Sequence, residues 1–567
     1  VSIRKKPLGW VLLCGALLSL PVVLFGFPYP THDARTHDVW YTAFSAQFWA
    51  GEWYPRWLQN LDGGLGGPTF YFYPPVAYFA TALLQPLYAS ASQVWHVMGL
   101  SAAIALILSG VFAYLWLRPI AGERPAAVAA MLYMAMPYHF ATDLHIRGAF
   151  GEFWAFVWMP LILLFVDRAL RRERFAAVGL AISYALLIMT HLPTTLIFSI
   201  IPPLWVWYIA DRGDRMRALV RVGAPMALGI GLSAIYLMPA MLEQSPVSMQ
   251  AMRTGDYYYA KAFFFPDPAL ESKFSVARDW FTRRLFLLTL TTFIVGAYAF
   301  VLARRSTDAS RKRQATFWVV LAAFTVAMMF RIGQPLYIAI PQLQLIQFPW
   351  RFNAVLALSV AALISMGLSA ISRPYARSTE RILAVVAVLV FYWITFSVEP
   401  LVATSFRSKP PLVEPQIEIR ASNFNTVEYR PRWVTASPRP MLRRLRVEGD
   451  TIPKVVIARG TADARVSEWR PRRLGVAVNA TGESLLEVRQ YFYPGWSATL
   501  DGRSRLDVSP ADSTGLIRVT VPAGTHQIDF RLEASRAERL GQRVSLASVV
   551  LLVGAAVLAA ARRGRPV

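Results

Sequence analysis

The chain has 567 residues, 55% of them hydrophobic and only 16% charged, with a mean hydropathy of +0.39. A soluble chain of this length is nearer a quarter charged and divides into several domains, so composition excludes an ordinary water-soluble protein. The single cysteine, Cys14, excludes internal disulfides and cysteine-based metal centres; 58 Lys+Arg against 34 Asp+Glu leave a net charge of +24 whose placement decides what it binds.

Apolar stretches of about 20 residues mark helices able to cross a ~30 Å hydrocarbon core. They fall at 9–27, 95–117, 125–139, 152–167, 176–190, 194–210, 223–241, 283–302, 315–330, 354–371, 381–398 and 543–561. The expected class is a polytopic α-helical membrane protein with about 12 transmembrane helices. The first stretch is read as retained, because no A-x-A-like cleavage site precedes Tyr29. Basic clusters such as Arg4-Lys5-Lys6, Arg171-Arg172, Arg304-Arg305, Arg311-Lys312-Arg313 and Arg562-Arg563 sit at alternate ends of the spans. The positive-inside rule puts them, and both termini, in the cytoplasm. A nucleic-acid stripe is excluded, since membrane helices separate the clusters.

This parity leaves three outer regions, 28–94, 242–282 and 399–542. Within the first, the apolar segment 70–92 is expected not to cross: it enters through Pro74-Pro75 as a juxtamembrane or re-entrant helix beside a cavity. The second carries Tyr257-Tyr258-Tyr259 and Phe263-Phe264-Phe265, fitting an interfacial aromatic belt or a loop over a substrate. The third alternates at Leu474, Val476, Val478 and at Ile528, Phe530, Leu532, which predicts antiparallel strands and a C-terminal extracytoplasmic β-sandwich domain. The expected division is a membrane domain over 1–398, the β-rich domain over 399–542, and a final helix with basic tail over 543–567.

Ionisable residues beside spans default to function or pairing. Asp33 follows the first span within Thr31-His32-Asp33-Ala34-Arg35-Thr36-His37-Asp38, and Asp33 and His37 share a face if that run is helical. A carboxylate at a cavity rim can take a proton from a hydroxyl nucleophile; the plainer reading is a loop carboxylate or helix cap. Asp143, His145, Arg147 and Glu152 gather between two spans. There Arg147 either holds a phosphate or pairs with Asp143 or Glu152. His191 precedes a proline and fits a structural role. Gln347 and Arg351 open the tenth span, where an arginine at the positive end of a helix calls for an anion nearby, such as a phosphate. Carboxylate plus arginines suits transfer of a sugar from a lipid phosphate, a leaving group that needs no general acid.

Asp33 after the first span, Gly51…Pro55-Arg56 and Phe72-Tyr73-Pro74-Pro75 resemble the membrane-embedded GT-C glycosyltransferases. THDARTH, FYFYPP, DLHIRGAFGE and QFPWRF are similar to the bacterial membrane proteins labelled 6-pyruvoyl-tetrahydropterin synthase-related, and Tyr491-Phe492-Tyr493-Pro494-Gly495-Trp496 to YfhO-like proteins. The resemblance implies a GT-C-like fold in the bacterial inner membrane. By resemblance the first outer loop supplies the catalytic carboxylate, which falls on Asp33. Together with the reading of the residues, the expectation is an inverting glycosyltransferase with Asp33 as base, Arg147 and Arg351 on the donor phosphate, and His32, His37, Asp143, His145, Glu152, His191 and Gln347 in supporting places. The donor would be a polyprenyl-phosphate-linked sugar, undecaprenyl in most bacteria, and the acceptor a glycan, lipid or protein among membrane lipids. Some members of the superfamily use a divalent cation, Mg2+ or Mn2+, for which Asp33, Asp143 and Glu152 are the candidates, with His32 or His37 able to join. The first loop lacks a D-x-D or D-E pair. The competing expectations are a flippase or transporter of lipid-linked sugars, and a non-catalytic scaffold for glycan assembly.

Overall fold

The computed structural model describes residues 6–88, 93–248, 253–254, 257–270, 275–370, 397–404, 427–437, 441 and 452–561. Within these, seven helices are long and apolar enough to cross a membrane, or nine if two bent pairs each count as one span. The expected count of twelve was higher for identifiable reasons. The stretches at 125–139 and 176–190 yield helices of only 13 residues, Glu123–Ala135 and Ala176–Ile188, about 20 Å at 1.5 Å per residue. The stretch at 223–241 bends by 72° between Arg215–Leu232 and Ala234–Leu242. That at 315–330 ends at Met328, and the chain turns by 97° into Arg331–Ala339. The stretch at 381–398 lies almost wholly outside the described residues.

The helix Asn353–Ala370 is the hub of the bundle, buried along nearly its whole length. It packs on Ser275–Ala303 and Ala309–Met328. Small residues permit the close approach: a Cβ on Gly296 would lie 2.7 Å from Val360, and one on Gly367 2.7 Å from the Ala299 carbonyl. In lipid, where burial of apolar surface does not by itself draw helices together, such close backbone packing supplies the association. The helices Lys6–Phe25 and Arg536–Ala561 are peripheral and expose leucines and valines along their length, as lipid-facing helices do.

The segment 70–92 breaks into Thr69–Phe72, Val76–Ala82 and a turn at Gln85–Leu87, pieces too short to span. Before it, Ala34–Trp49 forms one four-turn helix with a buried face of His37, Tyr41, Phe44 and neighbours.

Among the described residues the C-terminal region holds nine antiparallel strands in two sheets: β1 (Val455–Arg459), β2 (Ala462–Arg470), β3 (Arg473–Ala480), β4 (Ser484–Tyr491), β5 (Trp496–Leu500), β6 (Ser504–Leu506), β7 (Val508–Pro510), β8 (Leu516–Val521) and β9 (Gly524–Leu532). The orders are β1-β4-β8-β7 and β2-β3-β9-β5-β6. The alternating residues of β3, β8 and β9 are buried, and Pro522-Ala523 carries the chain from one sheet to the other.

Two buried polar contacts fix these strands to the first loop. Gln490 donates to the carbonyls of Gly64 (2.5 Å) and Gln59 (3.3 Å) and accepts from Trp57 Nε1 (3.1 Å). Glu538, at the start of the last helix, accepts from Arg56 Nη1 (2.8 Å), Tyr71 Oη (3.0 Å) and Arg472 (3.3 and 3.4 Å). Both acceptors are essentially inaccessible. They are satisfied by groups of the first loop and, for Glu538, by Arg472 as well, as burial of polar groups requires.

Beside this junction Glu52 accepts from Gln47 Nε2 at 2.8 Å, while its Oε1 has no partner among the described residues. Burial pushes the carboxyl up to about 7. A proton held more tightly in the folded than in the unfolded state means that stability falls as pH rises from the ordinary carboxylate range to about 7. Glu52→Gln is therefore expected to raise the melting temperature at about pH 8 and to leave it unchanged at about pH 4.5; thermal unfolding of the detergent-solubilised protein at both values checks the sign.

Candidate functional site

The site is built where the first loop lies on the segment 138–152. That segment is a ten-residue π-helix, Tyr138–Arg147, ended by Gly148 in the left-handed region (φ 63°). π-Helical turns widen the backbone and recur at functional sites. The first loop is bonded to its end: the amides of His32 and Asp33 donate to the carbonyls of Ile146 (3.2 Å) and Arg147 (2.8 Å). A Cβ at position 148 would overlap Thr31 Oγ1, so the approach requires glycine there. Asp33 thus has a fixed position beside Arg147, although 114 residues separate them in sequence.

Arg147 is buried and gives one nitrogen, Nη1, to both neighbouring carboxylates: Asp143 Oδ1 at 2.5 Å and Glu152 Oε2 at 2.8 Å. Glu152 Oε2 also accepts from Arg351 Nε at 3.0 Å, and its Oε1 from Tyr138 Oη at 2.7 Å. Arg351 Nη1 donates to the Ile346 carbonyl at 2.7 Å and lies 3.4 Å from Gln347 Oε1. Two guanidiniums and two carboxylates make this cluster formally neutral. Each arginine keeps N–H groups that make no bond among the described residues: Nε and Nη2 of Arg147, and Nη2 of Arg351. The anion that the position of Arg351 calls for is Glu152, so a phosphate would meet these residues at their free edges and not as bare charges.

Asp33 precedes the helix Ala34–Trp49 but makes no capping bond with its side chain. It is part-exposed, as is Tyr73, and His32 is exposed. Desolvation is nevertheless the largest influence on both His32, whose pKa it lowers, and Tyr73, whose pKa it raises. A side chain that touches water while packed mostly by protein lines a recess. The charge of Asp33 reaches His32, His37, Tyr73, Arg147 and Glu428, which are therefore its neighbours.

The histidines divide. His32 packs its ring on Phe281 at 5.3 Å and stays at the rim. His37 is committed to Tyr78 Oη at 2.6 Å, and burial holds it down to about 4, so it is neutral at physiological pH. His145 Nδ1 lies 3.0 Å from Thr404 Oγ1, and His191 caps the helix Leu192–Phe198 through Thr194. These last two hold structure together. Gln347 adopts φ 63° next to Arg351. The proposed cation ligands do not form a set: among the described residues no group of three or more His, Cys, Asp or Glu is placed to hold a metal ion, and Asp143 and Glu152 each turn one oxygen to Arg147.

Sequence reasoning missed Glu428 and Tyr429. They sit in an isolated helical turn, Val427–Tyr429, without periodicity to mark it, yet Tyr429 stacks on Phe72 and both are buried. It also missed the Arg56–Glu538–Arg472 junction, for which the only signal was a carboxylate in the first turn of the last apolar helix.

The fold and site define a helical protein with several helices long and apolar enough to cross a membrane, in which a part-exposed loop carboxylate residue lies beside a buried guanidinium–carboxylate cluster. The family model described as "6-pyruvoyl-tetrahydropterin synthase related domain; membrane protein" matches residues 70–405, more than half of the chain. The chain belongs to this family. No curated protein sequence matches it. Among solved structures it is similar to the arabinofuranosyltransferase AftD from Mycobacteria, at 16% identity and TM-score 0.46, covering 72% of this chain and 28% of AftD. It is also similar to the archaeal oligosaccharyltransferase AglB from Archaeoglobus fulgidus, in complex with an inhibitory peptide and a dolichol-phosphate. There the identity is 14% and the TM-score 0.41, covering 72% of this chain and 57% of AglB. The chain therefore spans under a third of the length of AftD.

Proposed function

We propose that this protein is an inverting glycosyltransferase of the bacterial inner membrane, with both termini cytoplasmic and the recess and β domain outside. Its donor is a sugar on a polyprenyl phosphate, and its acceptor is a hydroxyl of a glycan, lipid or protein. The observation that carries the reading is the 2.8 Å bond from the Asp33 amide to the Arg147 carbonyl, which anchors the backbone of a part-exposed carboxylate residue beside that of Arg147, whose Glu152 partner also serves Arg351. In the reaction the acceptor oxygen attacks the anomeric carbon while its proton passes to Asp33. The carbon–oxygen bond to phosphate breaks on the opposite face, and polyprenyl phosphate departs with the electron pair. Donors aimed at the leaving oxygens stabilise the charge that develops there, a task for the free N–H edges of Arg351 and Arg147. We read the two sheets as a sandwich that braces the first loop, through Gln490 and Glu538, against the membrane helices.

The test is transfer of label from polyprenyl-phosphate-linked sugars to glycan acceptors by the purified protein in lipid nanodiscs. Arg351→Ala is expected to weaken donor binding by about 1.5–3 kcal/mol, the value of a hydrogen bond to a charged group. Unchanged donor affinity removes Arg351 from the phosphate site, and absence of transfer with every donor removes the reading.

A further inference from the structure

The helix Ala309–Met328 starts beside Arg311-Lys312-Arg313, and its 20 residues measure about 30 Å at 1.5 Å per residue, the thickness of a hydrocarbon core. At its far end the chain turns by 97° into Arg331–Ala339, nearly at a right angle to the helix. No charged residue then occurs before Arg351. At the usual quarter of residues charged, a water-facing run of this length would carry about five. The run does not itself cross, because it is divided into short helices beginning at Gln334, Pro341 and Pro349.

One side of the turned segment is held by protein. Gly333 and Tyr337 are buried; the Tyr337 hydroxyl donates to the Met328 carbonyl at 3.2 Å, and its ring stacks on Tyr259 with centroids 4.9 Å apart and 8° between the planes. The remaining side is apolar and bare among the described residues. Ile332 is 77% exposed and Ile338 63%, and Leu336 and Ile340 are exposed beside them. Phe265, stacked on Phe330 at 6.0 Å, adds another exposed ring. Val320 and Phe324 carry exposed apolar surface along the helix itself, so the turned segment continues a surface of the kind that faces lipid. Charge appears only at the edge, where the exposed Arg331 and Asp267 pair at 3.2 Å. An interfacial helix has this arrangement: its apolar face enters the boundary between headgroups and acyl chains, and its charges stay at headgroup level.

We propose that Ala309–Met328 crosses the bilayer and that residues 331–340 lie along the interface opposite Arg311-Lys312-Arg313, with Ile332, Leu336, Ile338 and Ile340 among lipid acyl chains. This surface adjoins the candidate site, since the Ile346 carbonyl of the same uncharged run accepts from Arg351 Nη1 at 2.7 Å. It holds whatever reaction the site performs. The experiment uses the full chain carrying Cys14→Ser, so that a single introduced cysteine takes an environment-sensitive fluorophore. Ile332→Cys and Ile338→Cys report the proposed face, Phe324→Cys the helix flank, and Ala458→Cys an exposed position of β1. Each is measured in phosphatidylcholine nanodiscs with and without a phosphatidylcholine bearing a nitroxide high on its acyl chain, and separately with iodide in the buffer. Label at 332 and 338 should lose fluorescence to the lipid nitroxide, as at 324, and resist iodide, whereas label at 458 should do the opposite. Ile340→Cys replaces either position whose variant does not fold. Quenching by iodide without quenching by the nitroxide would place the segment in water. Protection from both would mean that protein covers it, a second copy or another part of the chain. Either result overturns the proposal.

Discussion

Asp33→Asn is expected to lower sugar transfer by about 10²–10⁴-fold, the usual contribution of a positioned general base. The carboxamide keeps the shape of the side chain but cannot take the acceptor proton. Little else should change. The Asp33 side chain makes no capping bond to the following helix, and the contact that fixes its position runs from its backbone amide to the Arg147 carbonyl. Thermal unfolding of the variant should therefore match that of the parent, and affinity for the lipid-linked donor should persist. Label transfer measured beside unfolding separates the two effects. Turnover within about ten-fold of the parent would remove Asp33 as the base, and a collapse in melting temperature would show that its role is structural.

The residues of the recess were legible in the sequence because ionisable groups beside apolar spans are rare enough to stand out. Asp33, Asp143, Arg147, Glu152 and Arg351 were all visible for that reason, and the structure gathers the last four into one bonded cluster. Their pairing was less legible. Dipole reasoning at Arg351 called for an anion, but nothing local pointed to Glu152, 199 residues earlier. The expected count of twelve spans exceeds the seven to nine found among the described residues for a related reason. Apolar composition marks burial as well as crossing, so Ala176–Ile188, only 13 residues long, reads in sequence like a longer apolar helix. Alternation revealed β3 and β9, whereas their antiparallel pairing in one sheet depends on long-range contacts that a period of two does not encode. The packing of Tyr429 on Phe72 and Trp40 was invisible, since it depends only on what the fold brings together.

Glu152→Gln is expected to be the most destabilising single change in the site, costing about 3–5 kcal/mol, because removing one partner of a buried ion pair leaves the other charge uncompensated. Glu152 is 1% exposed and serves both arginines through one oxygen. The two arginines do not suffer equally. Arg147 keeps Asp143 at 2.5 Å, whereas Arg351 loses its carboxylate and retains only the carbonyl of Ile346 and the amide oxygen of Gln347. Most of the penalty should thus reside on Arg351. Adding Arg351→Ala to Glu152→Gln should then recover part of the loss, with a coupling of about 0.5–3 kcal/mol in a double-mutant cycle. Unfolding of the four proteins in one detergent measures it. A bare Arg351 guanidinium should also bind anions more strongly, so inorganic phosphate should raise the melting temperature of Glu152→Gln more than that of the parent. Strictly additive penalties together with an equal response to phosphate would show that Glu152 does not hold Arg351 in check, and that the two charges are merely neighbours.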